Sequence, residues 1–178
     1  MSLTRPTPAD LEKAIRNIPD FPKPGIQFKD ITPVLADARL FSGSIDLLTE
    51  RFRPGDVDAV VGIDARGFIF AAAAAVKLQA GLVPVRKQGK LPYRTHEQQY
   101  NLEYGTATVA VHVDALKPGS RVLLIDDLLA TGGTAAAAAA LVRRLEARIL
   151  EISFLIELQF LGGRQKLQDY PVRSLIVY

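Results

Sequence analysis

The chain has 178 residues, of which 48% are hydrophobic and 23% are charged, a balance that is ordinary for a soluble globular protein. It has no cysteine and two histidines, which excludes disulfides, thiolate catalysis, and zinc sites built from cysteine or from histidine alone. The net charge is +3 without a lysine–arginine block, so we expect no nucleic-acid partner. No apolar run approaches the roughly 20 residues that span a bilayer, and the N-terminal residues lack the apolar stretch of a signal peptide. We therefore expect a cytoplasmic protein without a membrane partner.

The predicted elements begin with a helix over residues 9–18, where apolar residues recur on one helical face. Residues 19–25 contain three prolines and can form neither a helix nor a central strand. A second helix is predicted over residues 37–52, because Asp37 is a good N-cap residue and the Pro54-Gly55 pair would end the helix.

The elements that follow alternate between short apolar runs and helical patterns. Strands are predicted at residues 57–63, 81–85, 106–113, 121–125, 149–157 and 174–177, and helices at residues 67–79 and 132–145. Residues 86–104 are polar and poorly periodic, which predicts a long loop, and long loops in compact domains are usually functional. The alternation predicts one α/β domain over residues 1–178, with a mostly parallel central sheet flanked by helices on both faces. Ligands bind such sheets beyond the carboxyl ends of the strands.

One segment at such a strand end combines two carboxylates with a loop of threonine and glycine, in the order Ile125-Asp126-Asp127-Leu128-Leu129-Ala130-Thr131-Gly132-Gly133-Thr134. Ionised carboxylates accept hydrogen bonds from the hydroxyl groups of a sugar diol. Glycines let the backbone approach a phosphate, threonine hydroxyls add donors, and a helix start favours an anion. The alternative is a plain strand end and helix start, but two adjacent carboxylates repel each other when no ligand is bound. We therefore predict a site for a phosphorylated ribose, with contacts from Asp126, Asp127, Ala130, Thr131, Gly132, Gly133 and Thr134.

A second strand-to-helix turn, Asp64-Ala65-Arg66-Gly67, offers helix N–H groups to an anion, and Gly67 lets the backbone approach it closely. The alternative is an ordinary turn with a surface arginine.

The predicted loop carries the cations Arg86, Lys87, Lys90 and Arg94. These side chains either neutralise a charged ligand or are simply solvated.

The 122–134 segment resembles the motif by which type I phosphoribosyltransferases bind phosphoribosyl diphosphate (PRPP). Segments 21–35, 62–68, 89–92 and 102–105 resemble the adenine phosphoribosyltransferase family, and the resemblance covers the chain from about Ile15 to Tyr178. It implies a purine salvage enzyme that converts adenine and PRPP to AMP and diphosphate, with Mg²⁺ carried by PRPP. It also implies a homodimer and the type I phosphoribosyltransferase fold, with a small N-terminal hood over residues 1–35 and a flexible catalytic loop over residues 86–105.

The resemblance assigns the diphosphate to the 64–67 turn and to cations of the loop, one of which would act across the dimer interface. It implies a non-proline cis peptide bond between the first two residues of this turn. The residues that would bind diphosphate are Asp64, Ala65, Arg66, Gly67, Arg86, Lys87 and Lys90.

For the base and the chemistry, the resemblance points to two further segments. Glu103 would be the catalytic residue, either by proton transfer with purine N7 or by electrostatic support of the forming glycosidic bond, and Tyr104 would brace the loop. The hood would read adenine largely through its main chain, which tolerates Gln27 and Lys29 where the family commonly has an apolar residue and an arginine. The residues that would bind the base are Ile26, Gln27, Phe28, Lys29, Arg66 and Leu158.

Two alternatives stay open on the sequence. The chain could serve another purine base, because the adenine assignment rests on the resemblance and not on hydrogen bonds that the sequence defines. It could also be a non-catalytic regulator that binds PRPP or a nucleotide on the same fold. An enzyme is favoured because the chain keeps the loop cations and Glu103 and has no length to spare for a winged-helix module. A P-loop enzyme is disfavoured because no Gly-Lys-Ser/Thr follows the glycines.

Overall fold

The computed structural model describes residues 5–101 and 105–178, which divide after Leu48 into two compact units. The organisation into one domain with a hood over residues 1–35 stays a prediction. The first unit contains three helices and a two-stranded antiparallel sheet: α1 (Pro8–Ala14), β1 (Arg16–Pro19), β2 (Gln27–Asp30), α2 (Thr32–Ala36) and α3 (Ala38–Leu48).

Both helices predicted in the first unit are shorter than expected. A capping box of Thr7 and Asp10 begins α1, but the chain becomes extended at Ile15, and Ile18 pairs with Phe28 across β1 and β2. Ile15 and Ile18 therefore fit the helical spacing of the apolar residues, but both lie beyond the end of α1. Asp37 caps α3 as predicted, because its Oδ1 accepts a hydrogen bond of 2.9 Å from the Leu40 N–H.

The second unit is built around a seven-stranded sheet in the order β5-β6-β4-β3-β7-β8-β9. Its strands are β3 (Ala59–Ile63), β4 (Gly81–Lys87), β5 (Thr95–Asn101), β6 (Thr106–His112), β7 (Arg121–Leu129), β8 (Arg148–Glu157) and β9 (Val172–Val177). Strands β4, β3, β7, β8 and β9 are parallel to one another. Strand β6 pairs antiparallel with β4 on one side and with β5 on the other. Two helices, α4 (Gly67–Leu78) and α5 (Gly133–Arg144), and two 3-10 turns, Gln159–Leu161 and Gly163–Leu167, complete this unit.

The two helices of this unit pack on opposite faces of the sheet, because side chains alternate along a strand. Val61 and Leu124 belong to a buried cluster with Ala138 and Leu141 of α5. Gly62, the next residue of β3 after Val61, faces α4 instead, where a Cβ on Gly62 would lie 2.6 Å from the Ala71 Cβ. The predicted α/β fold with a mostly parallel, doubly covered sheet is confirmed.

Most predicted boundaries in this unit lie within two residues of the observed ones, but two predictions were wrong by more. Strand β5 lies within the predicted loop, where Gln98 and Gln99 are exposed. Because β5 pairs only with β6 at the sheet edge, few of its side chains need to be apolar, and the hydrophobic pattern is absent. Strand β7 continues to Leu129, four residues beyond the predicted end, because Asp126 and Leu128 stay paired with Phe154 and Ile156. None of the helices within residues 5–101 and 105–178 has the length and apolar character that a membrane span needs.

Candidate functional site

The two predicted motifs lie side by side at the carboxyl edge of the sheet. Strands β3 and β7 are parallel neighbours, with Gly62 opposite Ile125, so the 64–67 turn comes next to Asp126. The approach is tight: a Cβ built on Gly67 would lie 2.5 Å from Asp126 Oδ1 and 3.2 Å from the Ile125 carbonyl oxygen. Any larger residue at 67 would therefore push the carboxylate aside.

Asp126 and Asp127 occupy the last part of β7, and they are not placed after the strand as the sequence predicted. Asp127 is 7% exposed, and its N–H donates a hydrogen bond of 2.9 Å to Asp126 Oδ1. Burial raises the pKa of both carboxyl groups, and the neighbouring Asp127 charge raises the pKa of Asp126 further. Arg66 opposes this at Asp127, where its Nε lies 2.8 Å from Oδ2. A diol that donates its hydroxyl protons would stabilise the ionised pair.

The 130–134 loop follows the carboxylates and leads into α5. Gly132 precedes the helix with φ +76°, a left-handed conformation that glycine adopts without strain. Among the described residues, no side chain caps the first turn of α5, so its N–H groups are free to bind an anion. A cavity of about 70 Å³ lies at this turn, lined by Asp126, Leu128, Leu129, Ala130, Thr131, Gly132, Gly133, Thr134 and Ala135. Since one water occupies about 30 Å³ in the liquid, the cavity suits a small anion.

The 64–67 turn presents a second helix start, that of α4, which likewise has no side-chain cap within the described chain. The peptide bond between Asp64 and Ala65 is cis, as predicted. Arg86 donates from Nε to Asp64 Oδ2 at 3.2 Å and from Nη1 to the Lys90 carbonyl oxygen at 3.1 Å. Arg86 thus joins the turn to the segment that follows β4.

Of the two lysines predicted to bind diphosphate, Lys87 is the last residue of β4 and Lys90 lies on the segment that follows it. Both side chains are exposed, and the Lys90 N–H donates a hydrogen bond to the Lys87 carbonyl oxygen at 3.2 Å. Of these three cations, Arg86 is the one that contacts the 64–67 turn, through its ion pair with Asp64.

The predicted base-binding residues 26–29 lie in the first unit, on and beside β2. Phe28 is partly buried, and its ring meets that of Phe21 edge to face with centroids 5.1 Å apart. Lys29 Nζ donates a hydrogen bond of 2.7 Å to Asn17 Oδ1, and Gln27 is exposed.

The remaining predicted site residues are Leu158, Glu103 and Tyr104. Leu158 is partly buried after β8, and its N–H donates a hydrogen bond of 2.9 Å to the Leu129 carbonyl oxygen, at the end of β7. Glu103 and Tyr104 lie outside the described residues.

Residues 31–175 match the family of the phosphoribosyl transferase domain. The chain belongs to this family. An adenine phosphoribosyltransferase from Acidothermus cellulolyticus is 58% identical over 173 residues, which are 95% of this chain and 98% of that protein. The crystal structure of an adenine phosphoribosyltransferase from Thermoanaerobacter pseudethanolicus is 50% identical with a TM-score of 0.92, over 97% of this chain and 100% of that one. The enzyme from Saccharomyces cerevisiae, crystallised with D-2,5-dideoxy-2,5-imino-altritol 1,6-bisphosphate and adenine, is 42% identical with a TM-score of 0.89, over 94% and 97% of the two chains.

These comparisons confirm the predicted type I phosphoribosyltransferase fold. The residues matched by the family include both strand-to-helix turns.

Two structural features around the loop escaped the sequence interpretation. Gly163 packs against the 130–134 loop, where a Cβ on Gly163 would lie 2.1 Å from the Ala130 carbonyl oxygen. Glu157, at the end of β8, is 3% exposed and is bound by Arg164 through two hydrogen bonds. In the sequence the first feature shows only as the Gly162-Gly163 pair, and the second only as an acidic residue at the end of an apolar run.

Proposed function

We propose that this chain transfers the 5-phosphoribosyl group of PRPP to adenine, giving AMP and diphosphate, as an enzyme of purine salvage. The observation that carries the proposal is the strand–loop–helix segment, which holds two adjacent carboxylates and an uncapped helix start. A cavity of about 70 Å³ lies at this helix start, and Asp126 is part of its lining. The named activity of relatives up to 58% identical supports adenine as the base.

The 126–134 segment is proposed to bind the ribose 5-phosphate part of PRPP. Asp126 and Asp127 would accept hydrogen bonds from the two ribose hydroxyl groups. The N–H groups of Thr131, Gly132, Gly133 and Thr134, with the Ala130 backbone, would surround the 5′-phosphate. Because the pKa of each carboxyl group is raised without a ligand, the diol contributes hydrogen bonds that favour the ionised form.

The diphosphate is proposed to lie on the 64–67 turn, where α4 begins. Negative charge develops on the leaving diphosphate as its bond to ribose C1 breaks, and positive groups placed there lower the barrier. Arg86 is already anchored beside the turn by Asp64, and the exposed Lys87 and Lys90 can move towards the ligand. Closure of the segment would also exclude water, which competes with the base for C1.

The base is proposed to bind the hood residues Ile26, Gln27, Phe28 and Lys29, together with Arg66 and Leu158. Glu103 is the proposed catalytic residue, by proton transfer with purine N7 or by charge support of the forming bond, and Tyr104 is proposed to brace the loop. These assignments rest on the family resemblance.

Mg²⁺ is proposed to arrive with PRPP. Within residues 5–101 and 105–178, no three side chains of the metal-binding types cluster, while Asp126 and Asp127 supply two adjacent carboxylates. Mg²⁺ in proteins commonly takes one or two carboxylates and completes its shell with substrate phosphates and water. The donors therefore fit an ion carried by the substrate, which would neutralise part of the diphosphate charge.

We propose that the chain forms a homodimer through the outer face of α4. Ile69, Ala72, Ala73 and Val76 follow the i, i+3, i+4, i+7 spacing of one helical face, and Ile69 and Val76 are 40% and 82% exposed. An apolar stripe on a helix whose other face is already buried fits a partner of equal apolarity. Light scattering should give twice the chain mass, and Val76→Asp should shift the protein towards monomer; a monomeric wild type would contradict the proposal. The cytoplasmic location expected from the sequence stays a proposal.

The activity is tested by a panel of bases assayed with PRPP and Mg²⁺. We expect diphosphate release with adenine to exceed that with hypoxanthine, guanine or no base by about tenfold or more, because a mismatched hydrogen-bonding edge leaves polar groups unpaired. Equal rates with guanine would overturn the base assignment. No base-dependent release with any member of the panel would overturn the transferase activity and favour a binding protein.

A further inference from the structure

The 130–134 loop rests on a second backbone segment, with no side chain between the two. A Cβ built on Gly163 would lie 2.1 Å from the Ala130 carbonyl oxygen and 2.8 Å from the Gly132 nitrogen. A Cβ on Gly132 would in turn lie 2.3 Å from the Gly163 carbonyl oxygen. Real Cβ atoms essentially never come within 3.0 Å of such neighbours, so the contact exists only because both residues are glycine.

The segment beneath the loop is itself firmly held. Arg164, next to Gly163, donates two hydrogen bonds to the Glu157 carboxylate and one of 2.9 Å to the Val172 carbonyl oxygen. Ser174 Oγ donates a further hydrogen bond of 2.6 Å to Glu157 Oε2. The Arg164 guanidinium holds the pKa of Glu157 below its usual range, so the buried carboxylate is charged and paired at neutral pH.

The end of β8 also holds the end of β7, from which the 130–134 loop begins. Leu158 directly follows Glu157, and its N–H donates to the Leu129 carbonyl oxygen at the end of β7. Leu167, at the far end of the Gly163–Leu167 turn, is 1% exposed and belongs to the core cluster of the sheet. The position of Gly163 is therefore set by two strands and the core, not by the loop that it touches.

We propose that Gly163, held by the Arg164–Glu157 pair, is a positioning residue that sets the shape of the 130–134 loop and thereby the affinity for the 5′-phosphate. The inference rests on the phosphate-binding role proposed for this loop. N–H groups that converge before the ligand arrives bind more tightly than groups that must first be ordered. A shift of the loop by a few tenths of an ångström would spread these donors and weaken the phosphate contact.

The test is Gly163→Ala. Gly163 lies outside the left-handed region of φ, so alanine adds a steric conflict without backbone strain. Gly81→Ala is the matched control, because its Cβ would meet the Asp58 carbonyl oxygen at an ordinary 3.6 Å and its φ is also unexceptional. We expect Gly163→Ala to raise the KM for PRPP and the Kd for ribose 5-phosphate about tenfold. The KM for adenine and the Kd for diphosphate, which probes the 64–67 turn, should stay within about twofold.

A second variant covers the case in which Gly163→Ala does not fold. Arg164→Lys keeps the charge but cannot form the forked contact with Glu157, and we expect a smaller rise in the same two constants. If both phosphate-dependent constants stay at the wild-type level, or if they change in step with the adenine and diphosphate constants, the positioning role is wrong. Failure of the wild type to bind ribose 5-phosphate would instead overturn the proposed function of the loop.

Discussion

The two strand-to-helix turns at the carboxyl edge of the sheet use the same device and are held in different ways. Each leads into a helix, α4 or α5, whose first turn has no side-chain cap within the described part of the chain. The 130–134 loop packs backbone to backbone on Gly163. The 64–67 turn also packs closely on the Ile125 backbone through Gly67, but it is held in addition by ion pairs of Arg86 with Asp64 and of Arg66 with Asp127.

This difference matches what each turn would have to do in the proposed reaction. A phosphate that stays on the product can be held by a rigid cradle, because its charge does not change as the bond to C1 breaks. A diphosphate that leaves gains charge, and ion pairs between mobile side chains can rearrange to follow it. Side-chain contacts are also exchangeable, since a ligand can replace Asp127 as the partner of Arg66. We therefore expect the 130–134 loop to change less than the 64–67 turn when the ligands bind.

The largest effect that would sharpen this comparison is expected from Asp127→Asn. The substitution removes a charged acceptor for a ribose hydroxyl, a contact worth about 1.5–3 kcal/mol, so the KM for PRPP should rise by about one to two orders of magnitude. Glu103→Gln should mainly lower kcat. Steady-state kinetics of both variants measure the split, and equal changes in KM and kcat for both would contradict this division of labour.

Gly67→Ala tests whether the two turns are coupled through their close approach. The added Cβ would lie 2.5 Å from Asp126 Oδ1, so the carboxylate or the turn must move. We expect a rise of about tenfold in the KM for PRPP, with weaker binding of both ribose 5-phosphate and diphosphate in calorimetry. Gly81→Ala controls for the substitution itself, and loss of diphosphate binding alone would show that the turns act independently.

Arg86→Gln tests the adjustable side of the comparison. The variant loses the charge beside Asp64, and we expect the Kd for diphosphate to rise about fivefold while that for ribose 5-phosphate stays unchanged. Arg94→Gln is the control, since Arg94 is an exposed arginine of the same predicted loop that is not assigned to the diphosphate. If calorimetry shows that both variants bind diphosphate equally well, the proposed role of Arg86 is wrong.

The smallest expected effect concerns stability. Because the folded pKa of Asp126 is raised above its ordinary 3.8, the folded protein loses stability as the pH rises from about that value through the raised pKa. Asp126→Asn removes this loss, so its melting temperature without ligand should exceed that of the wild type by about 2–4 °C at pH 7.5. The gain should disappear near pH 3.8, and a gain that persists there would point to a cause other than ionisation.

The sequence predicted the fold well wherever burial imposes a pattern. The runs at β3, β8 and the centre of β7 are apolar because both faces of the sheet are covered by helices. Strand β5 was not predicted because an edge strand with exposed side chains needs no such pattern. The end of β7 was placed too early because Asp126 and Asp127 interrupt the apolar run, although the backbone stays in the ladder.

The sequence predicted the two segments that would contact the ligand, but not the residues that hold those segments in place. The 126–134 and 64–67 segments carry their chemistry in consecutive residues, so their types and spacing are enough to find them. Gly163 acts through contacts with Ala130 and Gly132, about 30 positions away in the chain. Glu157 is held by Arg164 and Ser174, which are 7 and 17 positions away. Neither set of contacts is visible in the residue types alone. The ion pair of Arg66 with Asp127 also depends on the neighbouring positions of β3 and β7.

A crystal structure of the protein with ribose 5-phosphate and diphosphate tests the central claim most directly. We predict the 5′-phosphate within hydrogen-bond distance of the N–H groups at the start of α5, with the ribose diol on Asp126 and Asp127. The diphosphate should lie on the 64–67 turn, near Arg86. Ribose 5-phosphate on the 64–67 turn, or away from both helix starts, would contradict the account.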